Sequence, residues 1–200
     1  SIPRKPSKLV SNRNICFTGP EILGGGFLIP SKEAEELLKR KPRYSRVLLP
    51  YLSGNEVNSG PELRPSRYVI RFGRMPLTKE QGTKPSEETA AEDFPELLEI
   101  ARMKVKPFRD RAKQSRPRNF WWQFGSSSIQ MRRFIDRLSR VIVCSLTSKY
   151  FVFTVCEPTR FEFSILTKVF ASDNWGFFGL LSSSIHDLWA KTYCSTLEDR

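Results

Sequence analysis

Residues 141–170 read VIVCSLTSKYFVFTVCEPTRFEFSILTKVF. Three runs rich in β-branched and aromatic residues, 141–146, 150–156 and 161–170, are separated by turns at Ser148-Lys149 and at Glu157-Pro158-Thr159-Arg160. Such spacing predicts an antiparallel meander. The first two runs are apolar on both faces, as in central strands. In the third, Phe161, Phe163, Ile165 and Val169 alternate with Glu162, Ser164 and Lys168, which predicts one polar, solvent-facing side.

Helical periodicity surrounds this meander. Ser31 opens a helix in which Ala34, Leu37 and Leu38 share a face, and Pro42 stops it. Phe94, Leu97, Leu98, Ala101 and Val105 form a second apolar stripe that starts at Asp93 and Glu96 and ends at Pro107. Ser128 opens a third helix, with Met131, Phe134, Ile135 and Leu138 turned inward and Arg132, Arg133 and Arg137 turned away. A final helix from Ser182 or Ser183 carries Ile185, Leu188 and Trp189 on one face. Residues 47–52 and 67–72 read as further strands with a Gly/Asn/Ser/Pro loop between them, residues 78–92 as a surface loop, and residues 175–181 as an added strand. Gly24-Gly25-Gly26 lacks both the P-loop lysine and the GxGxxG pattern, so it reads as a turn. The predicted class is α+β, an antiparallel-rich sheet packed by several helices. Residues 1–13 read as an arm or linker continuing from an upstream domain, and residues 14–200 as one domain, the whole looking cut from a longer polypeptide.

Charge supplies the functional signal. The net formal charge is +12, and residues 101–200 carry seventeen basic side chains against eight acidic ones. Between Arg102 and Lys149 thirteen cations face only Asp110 and Asp136, around the pair Trp121-Trp122. A cationic stretch of this density suits a polyanionic partner. Arg109, Arg111, Arg116, Arg118, Arg133 and Arg137 are candidate phosphate contacts, because guanidinium groups bond phosphate oxygens in charge-assisted, often bidentate pairs. The two tryptophans are expected in the core. Base reading needs donors and acceptors on a rigid element, which nominates Glu162, Ser164 and Lys168 on one strand face and Arg160 in the adjoining turn.

Other chemistry finds little support. His186 is the one histidine and reads as a helix-packing residue. Cys16, Cys144, Cys156 and Cys194 have no CxxC spacing, which points to free thiols in a reducing cytoplasm and to no metal site. No run of about 18 apolar residues and no signal-peptide core is present, so no membrane partner and a cytoplasmic location are expected. An Asn-Pro-Pro-Tyr or Asp-Pro-Pro-Tyr segment for adenine methylation is absent, so no catalytic residue is assigned.

The segments CFTGPEILGGGFLI, EAEELLKRKP, VLLPYLSGNEVNS, PSRYVIRFG, DFPELLEIARMKVKPFRDR, WWQF, RVIVCSLTSKYFVF and FFGLLSSSIHDLWA occur in the order seen in one family. Together they resemble the target-recognition domain of type IIL, or Mme-type, restriction-modification enzymes, over roughly residues 14–197. The resemblance implies double-stranded DNA as partner and a covalently attached adenine-specific methyltransferase. It implies S-adenosylmethionine, and Mg where the parent also cuts, as cofactors of that parent, with no cofactor in these residues. It also places Ser148 and Lys149 among DNA-facing positions and the strand of Ser164 among those that vary with specificity. The family's Thr-Pro-Ser-Asp and Phe-Pro-Phe-Pro tail is absent here. Two alternatives stand beside it: a nucleic-acid-binding protein without sequence preference, and a small nuclease whose carboxylates converge on folding.

Overall fold

A computed structural model describes residues 9–60, 62–82, 89–126, 128–148 and 150–193. In chain order the elements are β1 (Cys16–Thr18), β2 (Leu28–Pro30), α1 (Ser31–Arg40), β3 (Leu48–Leu52), α2 (Gly54–Ser59), β4 (Arg67–Ile70), α3 (Pro95–Lys104), α4 (Lys106–Asp110), α5 (Ser115–Asn119) and α6 (Ile129–Ile135). They are followed by β5 (Val141–Ser145), β6 (Phe153–Cys156), β7 (Glu162–Phe163), β8 (Thr167–Phe170), α7 (Trp175–Leu181) and α8 (Ser184–Tyr193). The class is α+β, but the strands form two four-stranded sheets, β2-β4-β3-β7 and β1-β8-β5-β6. Every pairing is antiparallel except β3 with β7, which run parallel with Tyr51 opposite Glu162 and Leu52 opposite Phe163.

Each sheet has its own core. The first gathers Phe27, Ile29, Tyr44, Leu48, Val69 and Ile70 against α1 and the stripe of α3, where Phe94, Leu97, Leu98, Ala101 and Val105 are all buried as the periodicity predicts. Trp121 and Trp122 close this core, also as expected, with rings edge-to-face at 6.0 Å. The second core packs Met131 and Ile135 of α6 on Val141, Val143, Phe161, Phe163 and Val169. Fully burying a side chain of this size contributes roughly 1.5–3 kcal/mol each.

The largest departure from the periodicity lies at residues 161–170. One continuous strand is expected, yet the chain changes sheets within it: β7 ends at Phe163, a turn at residues 164–166 follows, and β8 starts in the other sheet. Leu52 holds the crossover, its carbonyl accepting from Ser164 N at 2.8 Å and from Thr167 Oγ1 at 3.0 Å. Gly19 lets this happen, because a Cβ there would collide with the Phe163 and Ser164 carbonyl oxygens. The polar side chains at 162, 164 and 168 therefore share no single exposed face. Glu162 and Ser164 are buried, and Lys168 is half-buried.

Sheet order departs as well. β5 is central as expected, but β6 is an edge strand, and the polar-faced β8 is central because β1 joins its far side. That pairing spans about 150 residues of chain, and local alternation carries no signal of it.

Three helical expectations change. Residues 54–59 form α2 rather than loop, capped by Ser53, whose backbone N–H donates to Glu56 at 3.0 Å. Residues 175–181 form a helix, not a strand, because Asn174 Oδ1 accepts from Phe177 N at 3.0 Å and caps it. On α8 the apolar residues Ile185, Leu188 and Trp189 are exposed rather than packed.

Candidate nucleic-acid interface

A cleft of about 590 Å³ opens between the two sheet units. One wall comes from Arg46 and the segment after β4, Arg71 to Met75. The other comes from α6 and the residues after it, Ile129, Arg132, Arg133, Asp136 and Arg137. Gln123, Phe124, Ser126 and Ser128, between α5 and α6, and Arg116 of α5 close one end. Phe72, Met75, Phe124 and Ile129 supply apolar surface, while the seven arginines face only Asp136. Low-dielectric walls lined by one sign of charge focus field and concentrate counter-ions.

Packing fixes this geometry. The indole N–H of Trp122 donates to the Met75 carbonyl at 2.9 Å, and Gln123 Nε2 donates to the same oxygen at 3.2 Å. Arg116 Nη1 donates to the Gly125 carbonyl at 2.7 Å. Beneath two of the lining arginines lies Glu162, fully buried, whose Oε2 accepts from Arg71 Nη1 at 2.7 Å and from Arg132 Nη2 at 2.9 Å. Among the described residues its Oε1 has no hydrogen-bond partner.

Among the proposed phosphate contacts, the cleft gathers Arg116, Arg133 and Arg137. Arg111 and Arg118 are exposed but do not line it. Arg109 is corrected: it is 1% exposed, and its guanidinium donates to the carbonyls of Ile22, Leu23, Phe120 and Gln123 beneath the Phe27 ring. Burial, with Arg116 nearby, pulls its pKa down to about 10, which still leaves it charged at neutral pH. It staples the loop after β1 to the turn after α5 and meets no solvent. Ser148 is exposed, its hydroxyl accepting from Tyr150 N, and Lys149 lies outside the described residues.

Of the four candidate base-reading residues, two lie out of reach of solvent. Glu162 is sealed between two arginines, and Ser164 is buried in the crossover with its hydroxyl accepting from Leu166 N at 3.1 Å. Arg160 is exposed, its guanidinium over the Phe161 ring. Lys168 lines a second, more polar cleft of about 390 Å³ with Thr18, Gln130, Ser126 and Ser128, the last two shared with the arginine cleft.

Sequence reasoning missed Arg46, Arg71, Arg74 and Arg132. The pattern Arg71-Phe72-Gly73-Arg74, two cations around a glycine at a strand end, was the available signal. Among the described residues no three His, Cys, Asp or Glu side chains come together in a way that could hold a metal ion, and no helix is long and apolar enough to cross a membrane.

This architecture has a solved counterpart. The chain shares its fold with part of MmeI. That structure is the type IIL restriction-modification enzyme in complex with DNA, superposing with a TM-score of 0.67 at 21% identity over 98% of this chain and 24% of that one. This chain thus spans about a quarter of the length of MmeI. No protein-family model matches the chain, and neither does any curated protein.

Proposed function

We propose that this chain is the DNA target-recognition domain of an adenine-specific DNA methyltransferase or restriction-modification enzyme of the type IIL kind. The observation that carries the reading is the seven-arginine cleft, set on a fold shared with part of an enzyme solved on DNA. In this reading Arg116, Arg133 and Arg137 neutralise backbone phosphates, which sets affinity and register without naming a sequence. Base reading falls to Arg160 and Lys168, since both reach solvent and either side chain pairs with the O6 and N7 edge of guanine. The attached methyltransferase, with S-adenosylmethionine and any Mg, belongs to the rest of such a parent.

The test has two arms. Methylated adenines are mapped in a host carrying the intact gene, and labelled duplexes with the mapped sequence are titrated against scrambled ones. A preference for the mapped sequence that changes on substituting Arg160 or Lys168 supports the reading. Equal affinity for all duplexes overturns it.

A second reading, a nucleic-acid binder without sequence preference, draws on the burial of Glu162 and Ser164. Phosphate contacts alone carry no sequence information. Equal affinity across duplexes is its expected result.

A further inference from the structure

Arg71 and Arg132, both lining the cleft, share a carboxylate hidden from solvent. Glu162 has 0% side-chain exposure, against 31% for Arg71 and 14% for Arg132. Both terminal nitrogens of Arg132 are engaged: Nη1 donates to the Pro158 carbonyl at 2.8 Å and to Asp136 Oδ1 at 3.4 Å, and Nη2 donates to the Phe161 carbonyl at 2.8 Å and to Glu162 at 2.9 Å. Arg132 is thus shared between Glu162 and Asp136, and Arg71, just after β4 in the sheet that also holds β7, is a second cation on the same Glu162 oxygen. Among the described residues its only side-chain bond is the one from Nη1 to Glu162, so the rest of its donor fork is available to the cleft that it lines.

A guanidinium held in this way matches a phosphodiester. Its planar donors suit two phosphate oxygens, and the ion pair behind it removes rotamer freedom before a ligand arrives. We infer that Arg71 is a phosphate ligand of the cleft and that Glu162, held on its other side by Arg132, is its positioning residue. The inference rests on the DNA-binding reading above.

The experiment is fluorescence anisotropy of the chain with a labelled duplex across a salt series, for wild type, R71A, R71K, E162Q and R71A/E162Q, with thermal melts as a check of folding. R71A is expected to weaken binding on the order of 10- to 100-fold, as for a lost charge-assisted bond, and to flatten the salt dependence by about one ion. R71K keeps the charge without the fork and falls between R71A and wild type. E162Q weakens binding as well, and in the R71A background adds less than about twofold, because it acts through Arg71. R71A binding like wild type with an unchanged salt slope overturns the inference, as do E162Q and R71A effects that multiply in the double variant. Should E162Q not fold, R71K decides: wild-type affinity in that variant overturns the oriented fork. Absence of duplex binding by the wild type at low salt overturns the DNA reading itself, and is seen before any substitution is compared.

Discussion

Arg109 Nη2 and the Ile22 carbonyl oxygen lie 2.8 Å apart, joining α4 to the loop after β1 across 87 positions of sequence. That guanidinium serves four carbonyls and its own charge is out of water, so truncation strands several buried acceptors together. R109A is expected to lower unfolding stability by roughly 3 kcal/mol or more. Urea denaturation measures it. DNA affinity per folded molecule should stay within about twofold of wild type, and a phosphate contact at Arg109 would show as a lost salt increment instead.

The cleft and the outer arginines should separate under charge reversal. R133E and R137E are expected to weaken binding to every duplex and to reduce the salt slope by at least about one each. R111E and R118E, outside the cleft, should act more weakly through long-range field alone. Anisotropy titrations at several salt concentrations compare them, and equal losses in both pairs would remove the cleft as the seat of binding.

Thiol chemistry reports on the second sheet. Burial pushes the Cys144 and Cys156 thiols up to about 12, so almost no thiolate is present near neutral pH. Both are expected to stay unmodified by iodoacetamide at pH 8 in the native protein and to react fully in denaturant, as read by peptide mass mapping.

Acid stability has a local source at Glu56. Burial raises its carboxyl, but hydrogen bonds from Ser53 and Ser66 outweigh burial and hold it below the ordinary value of 4.5. A group depressed in the folded state contributes stability that is fully present above its unfolded value and lost as pH falls through the folded one. Wild type should therefore lose stability as pH drops below about 4.5, whereas E56Q should be less stable at pH 7 and show a flatter acid limb. Chemical denaturation between pH 3 and pH 7 checks this.

Much of the fold was written locally. The stripes of α1, α3 and α6 repeat at helical spacing, and burial of Leu97, Ala101, Met131 and Ile135 follows from that repeat. The helix α2 was legible too, since Ser53 and Glu56 stand at capping-box spacing, although the Gly and Asn between them read as loop. The seven-residue apolar run of α7 was ambiguous, because a short run without alternation suits strand and helix alike.

The candidate site was half legible. Arg116, Arg133 and Arg137 came from charge density, yet the same density also pointed to Arg109, which sits in the core. Composition counts cations without saying which carbonyls they face.

The sequence by itself determined the α+β class, the apolar stripe of α3, the buried tryptophans and the excess of cations in the second half, since each depends on residues within a few turns or strand positions of one another. Phe134 of α6 and the stripe of α8, by contrast, are exposed. Only the tertiary structure decided that the chain crosses between two sheets at Ser164, that Glu162 lies beneath Arg71 and Arg132, and that arginines from both units meet in one cleft. Those facts depend on pairings such as β1 with β8 and β3 with β7, made between segments more than a hundred residues apart. No local propensity encodes such contacts, because packing of the whole chain selects them.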